Sequence, residues 1–259
     1  MATSRRDAEN IDQAGSEFIE SDSGHTATPE EVVATALTFF AEDGFSETKL
    51  EKIAKASGMS KRMIHYHFGD KKGLYIKAVS YALRLLRPEA EAMQLDSAVP
   101  VDGVRKIVEA LYTCITKHPE AVRLLLMENL HSQDSVDSTA AYSDESNVLL
   151  NLDKLLMLGQ DAGAFRPGIS AEDVLVLISS LAYFRVSNKV TLKNLYSLDL
   201  ESEANIEGMK RIVVDTVLAF LTSNIQNSGN SSYLVVGGKT AEPETDDSVY
   251  SFDTDVFEN

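Results

Sequence analysis

The chain has 259 residues, 44% hydrophobic and 25% charged, with 40 acids against 24 Lys and Arg and a formal net charge of −16. That length buries a sizeable core and leaves room for one large or two modest domains. The one cysteine, Cys114, excludes an intramolecular disulfide, no apolar run approaches membrane-spanning length, and the opening MATSRRDAEN leads into no signal-type hydrophobic stretch, so the expectation is a cytoplasmic protein with no membrane partner.

Residues 1–27 carry six acids, two arginines and few large apolar side chains, a composition that predicts a disordered acidic tail. Thr28-Pro29-Glu30-Glu31 reads as a capping box with proline at the first helical position, opening a helix whose apolar side is Val32, Val33, Ala36, Leu37, Phe39 and Phe40. A second capping box, Thr48 with Glu51, predicts another helix from about residue 49. Its apolar or small face is Leu50, Ile53, Ala54 and Ser57, which leaves Lys49, Glu51, Lys52 and Lys55 in water. Gly58 ends it, because glycine takes positive φ without steric cost, and Met59 fills the corner. Ser60 then caps a short helix over 61–68, with Ile64 and Phe68 inward and Lys61, Arg62, Met63, Tyr66 and His67 outward.

Two helices crossing at a glycine turn, with small Ala54 at their approach, make a helix-turn-helix. Helical hairpins with a glycine also occur in domains that never touch nucleic acid, and exposed lysines are often only a solvated face. Charge separates the readings. Residues 46–87 hold ten Lys and Arg against Glu47, Glu51 and Asp70, a local excess of seven positive charges inside an acidic chain. Phosphate neutralisation needs that concentration, so the implied partner is double-stranded DNA.

Further helices are predicted over 74–86, 101–117, 119–130, 146–159, 171–187 and 206–225, with Asp70, Pro119 and Ser170 as start signals and Gly163, Pro167 and Gly168 marking a turn. The last two are apolar nearly all round: Val174, Leu175, Val176, Leu177, Ile178, Leu181, Ala182, Tyr183, Phe184 and Val186 in one, Ile212, Val213, Val214, Val217, Leu218, Phe220 and Leu221 in the other. Such helices want cover on both sides, which predicts either burial within one chain or a four-helix interface in a homodimer, the reading favoured here. Residues 227–259, with seven acids against Lys239, read as a second disordered acidic tail whose one possible strand is 233–236.

Residues 29–87 resemble the N-terminal domain of the tetracycline-repressor (TetR) family of transcriptional regulators. The family's three-helix head reads roughly Gly-aromatic-x-x-Thr, Ile-Ala, Ala-Gly-x-Ser and Tyr-x-His-Phe-x-x-Lys, matched here by Gly44, Phe45, Thr48, Ile53, Ala54, Ser57, Gly58, Ser60, His67, Phe68 and Lys71. Two positions depart from it: His65 stands where the family usually has a phosphate-contacting tyrosine, and Arg62 where a small residue is common. The segment GAFRPGISAEDVLVLISSLAYFRVSNKVTL is similar to the second domains of one subgroup.

The resemblance implies an all-α fold: an N-terminal helix-turn-helix DNA-binding domain over 28–87, then a helical dimerisation and ligand-binding domain over 88–226. It assigns Lys61, Arg62 and Met63 to the major groove, where Arg or Lys can bond guanine and Met can meet a thymine methyl. It assigns Thr48, His65, Tyr66, His67 and Lys71 to backbone phosphates, with Lys49 and Ser60 in the same interface. It also implies pairing through the last two helices and an unknown small-molecule effector that releases a palindromic operator. Polar residues in apolar helices are the effector candidates, namely Asn129, Tyr183, Arg185 and Asn188, each of which equally suits a structural role.

No cofactor or metal is expected, since no Cys or carboxylate cluster accompanies His65 and His67. The chain has no phosphate loop, no Gly-x-Ser-x-Gly and no His-Glu-x-x-His, and Cys114 falls in an apolar helical run, so an enzyme is not expected. The alternative that keeps DNA binding is an architectural factor or a regulator without an effector, controlled by a protein partner.

Overall fold

The computed structural model describes residues 27–89, 91–93, 99–131, 148–225 and 232–234. Both predicted tails therefore lie outside the described residues, apart from Ala27 and 232–234. Among the described residues the chain forms nine α-helices and one 3-10 turn, with no strand. The helices are α1 (Pro29–Glu47), α2 (Leu50–Ser57), α3 (Lys61–Phe68), α4 (Lys71–Leu85), α5 (Pro100–Lys117), α6 (Pro119–His131), α7 (Val148–Asp161), α8 (Ala171–Tyr196) and α9 (Glu203–Thr222). Tyr233 and Leu234, placed by sequence in a short strand, instead form part of a bend.

The predicted cap of α1 forms as expected: Thr28 accepts from the Glu31 backbone and the Glu31 carboxylate takes the Thr28 N–H at 2.7 Å. The second predicted capping box does not form. Gly44 (φ 77°) breaks the helical path near the end of α1, and the Thr48 hydroxyl turns back to the carbonyls this leaves, donating to Phe39 O at 3.2 Å and Gly44 O at 2.6 Å. Lys49 becomes the N-cap of α2, with no side-chain cap bond.

The head is α1–α4. Val32, Ala36, Leu37 and Phe40 of α1, Ile53 of α2, Ile64 of α3 and Leu74 and Ala78 of α4 are fully buried and form the core of the head. α1 also packs on α6, so one continuous cluster of buried side chains runs from the head into the body. Phe40 and Phe45 stack there at 6.1 Å between ring centroids, and Tyr75 meets both edge to face at 5.0 and 4.9 Å. The Tyr75 hydroxyl donates to the Glu128 carboxylate of α6, and the Met127 methyl lies 3.2 Å from where a Cβ on Gly44 would sit.

In the body, α5 packs against α7, α8 and α9. Helix α8 runs nine residues beyond the predicted end at 187, since Lys189–Glu201 and Lys193–Asp199 ion pairs fasten its polar second half to the following loop. Ser197 in the left-handed region (φ 55°) closes it, its N–H on Leu192 O. The inward sides of α8 and α9 are Val174, Ile178, Ala182, Val213, Val217 and Leu221, while Val176, Phe184, Val190 and Ile212 stay exposed. No described helix is long and apolar enough to cross a membrane.

Candidate nucleic-acid interface

The reading device is α2, its glycine turn and α3. Gly58 (φ 77°) caps α2 in the left-handed conformation with its N–H on Ala54 O, and Met59, 5% exposed, plugs the corner. Ser60 starts α3 by accepting the Met63 N–H at 3.3 Å. With only Ile64 buried and Phe68 half-buried, α3 stands proud, and Lys61, Arg62, Met63, His65, Tyr66 and His67 all face solvent, Tyr66 79% exposed.

Side-chain contacts order this surface. Lys61 Nζ donates to the Glu51 carboxylate across the turn, and that contact holds the Glu51 pKa below the usual carboxylate range. Lys52 pairs with Asp43 at 3.1 Å. His65 Nδ1 lies 2.8 Å from Gly69 O, which requires the proton on Nδ1 and turns Nε2 outward. The Tyr66 and His67 rings meet edge to face at 5.2 Å. Arg62 and Lys49 are exposed.

Two expected phosphate contacts sit differently. Thr48 is 1% exposed with its hydroxyl on α1 carbonyls, so the structure does not bring its side chain to the surface. Lys71 is half-buried, donating to Ser46 O at 3.0 Å with its ammonium 4.8 Å from the Phe45 ring centre. It anchors the α1–α2 corner to the first turn of α4, whose cap is Asp70.

The four effector candidates divide similarly. Arg185, 6% exposed, donates to Thr116 O at 3.2 Å and Leu200 O at 3.4 Å, tying α8 to the end of α5 and to the loop before α9. Asn188 spends its amide on Phe184 O and Ser187 Oγ. Asn129 is exposed on α6, and Tyr183 is half-buried on α8, where burial pushes its hydroxyl pKa up. Burial likewise raises the Cys114 thiol. Among the described residues no three His, Cys, Asp or Glu side chains converge to hold a metal.

Gly73 and Glu128 were not foreseen as important. A Cβ on Gly73 would lie 2.0 Å from the Phe68 carbonyl oxygen, so the tight α3–α4 junction admits only glycine without a shift. A glycine inside a helical pattern is the signal that could have exposed it.

Comparison with known proteins gives this geometry its context. A family model described as bacterial regulatory proteins, tetR family, matches residues 32–78, and one described as tetracyclin repressor-like, C-terminal domain, matches 100–217. The transcriptional repressor NicS of Pseudomonas putida is 30% identical over 176 residues, spanning 67% of this chain and 82% of NicS. The chain belongs to the TetR family. Another relative, the HTH-type transcriptional regulator RutR of Escherichia coli, is 30% identical over 105 residues, 40% of this chain and 49% of RutR. The TetR fold is shared with a Streptomyces coelicolor transcriptional regulator at TM-score 0.54 and 21% identity, covering 75% of this chain and 98% of that one. It is also shared with Bacillus subtilis FadR, solved with stearoyl-CoA, at TM-score 0.52 and 16% identity, covering 75% and 100%. This TetR protein is thus a transcriptional regulator, and the proteins it resembles are regulators rather than enzymes.

Proposed function

We propose that this chain is a ligand-responsive repressor that binds a palindromic operator as a homodimer, setting one α3 into each of two major-groove half-sites about one helical turn apart. The observation that carries it is the exposed cationic face of α3 in a chain of net charge −16. Lys61, Arg62 and Met63, at the free start of α3, read base edges, and Lys49, Ser60, His65, Tyr66 and His67 hold phosphates. Lys71 adds a phosphate contact from an ammonium already fixed by Ser46 and Phe45, so little side-chain freedom is lost on binding. Residues 28–87 serve as the DNA-binding domain and 88–226 as the body.

The outward apolar side chains of α8 and α9 support pairing through those helices, since Val176, Phe184, Val190 and Ile212 are exposed among the described residues and a second copy would cover them. The effector half of the reading rests on family membership. Tyr183 and Asn129 are the residues assigned to it, because Arg185 and Asn188 spend their side chains within the fold. An effector that favours heads set at the wrong separation lowers operator affinity by its differential affinity for the two states.

Selection of bound sequences from a random duplex pool with the purified protein tests this reading. A palindrome enriched at moderate salt is the expected outcome, and equal recovery of all duplexes would overturn it.

A further inference from the structure

Arg166 in the α7–α8 turn and Asp173 at the start of α8 both contact Tyr233, some 60 residues further along the chain. Asp173 is 6% exposed. Its carboxylate closes the α8 capping box by taking the Ser170 N–H at 3.0 Å, and it also takes two consecutive backbone N–H groups from near the C-terminus, Tyr233 at 3.1 Å and Leu234 at 2.9 Å. Ser232 Oγ on Leu234 O, at 2.7 Å, shapes the bend that points both N–H groups the same way.

Arg166 holds the other side. Its backbone N–H bonds Leu221 O at 2.9 Å and its Nε bonds Phe220 O at 2.8 Å, so it satisfies the carbonyls that end α9. Its Nη1 donates to the Tyr233 hydroxyl at 3.2 Å, and its guanidinium lies 4.5 Å from the Phe220 ring centre and 5.7 Å from that of Tyr233. The Phe220 and Tyr233 rings are themselves 5.6 Å apart. Nη2 is buried without a hydrogen-bond partner. Tyr233 thus shields a guanidinium that is already short of one acceptor, and its departure would remove both an acceptor and a ring face from it.

We infer that residues 232–234 are a C-terminal strap, docked on Asp173 and Arg166, that locks the end of α9 against the start of α8. Released, it leaves the last turn of α9 held by Arg166 and by the Ser223 hydroxyl, which donates to Phe220 O at 3.2 Å, with the Phe220 ring covered by the Arg166 guanidinium but no longer by Tyr233. The inference extends to self-association, and in that part rests on the proposed pairing through α8 and α9: a frayed α9 weakens the dimer.

Hydrogen exchange on the full-length protein tests the strap directly. The Tyr233 and Leu234 amides should exchange at least about tenfold more slowly than in a free peptide of the same sequence, and exchange at the free-peptide rate would overturn the strap. In Tyr233→Ala the amides of residues 218–222 should exchange at least about tenfold faster, and unchanged rates there would overturn the lock. Sedimentation of the same variant should show a dimer dissociation constant raised about tenfold, a shift of about 1.4 kcal/mol. Phe184→Glu is the control for the pairing. If it too leaves the dimer intact, the proposed interface is wrong while the exchange results still decide the strap. If it dissociates the dimer and Tyr233→Ala does not, the extension to self-association fails.

Discussion

Arg62 and Lys71 separate specificity from affinity at the scale of single side chains. Arg62→Ala should relax base preference at one operator position, at a cost of about 1–3 kcal/mol for the preferred base, read by competition with single-position operator variants. Unaltered selectivity would remove Arg62 from the groove. Lys71→Ala should weaken all duplexes alike and make the salt slope shallower by about one unit, while also lowering Tm by about 2–4 °C because the Ser46 carbonyl loses its donor. Glu51 acts in the opposite sense: it neutralises Lys61 in the free protein, so Glu51→Gln should tighten binding to every duplex and steepen the salt slope, measured by titration at several salt concentrations. Binding unchanged by Glu51→Gln would mean that Lys61 makes no contact with DNA.

At the scale of elements, two short junctions decide whether the head keeps its shape. Thr48→Val keeps the volume of the side chain but removes the hydroxyl held by the Phe39 and Gly44 carbonyls, so Tm should fall by about 2–4 °C with no change in salt slope. A loss of affinity for every duplex with Tm unchanged would instead restore Thr48 to the phosphates. Gly73→Ala should be more severe, because its Cβ meets backbone rather than a side chain that can rotate away. Much of this architecture is legible in the chain. The Thr28 cap, the glycine at 58 and the three- and four-residue spacing in α1–α3 are local signals, and local signals survive folding. The Thr48 capping box misled because two helix ends compete for one hydroxyl, and only the break at Gly44 decides which wins. The end of α8 was missed for a related reason: its second half is polar, and the ion pairs that support it come from residues 6 and 12 positions on in the sequence. Likewise Arg185 is a polar residue in an apolar run, and nothing in the run itself says that its partners are carbonyls of Thr116 and Leu200.

For the whole molecule, the proposed pairing is the property on which operator binding would depend. Ile212→Asp should convert the protein to monomers and reduce operator affinity far more than it reduces Tm, checked by sedimentation alongside DNA titration. Retained dimers would move the interface elsewhere. The contact of α6 with the head has a consequence for how two copies share one site. Glu128 grips Tyr75 and Met127 crowds the Gly44 corner, so α1, α4 and α6 are joined at one corner. A rotation of a few degrees in the body therefore becomes a displacement of the reading surface multiplied by the length of the lever, and in a twofold assembly the two displacements add. Under the proposed pairing, what would vary between bound and released forms is the gap between the two readers, with each reader unchanged in itself.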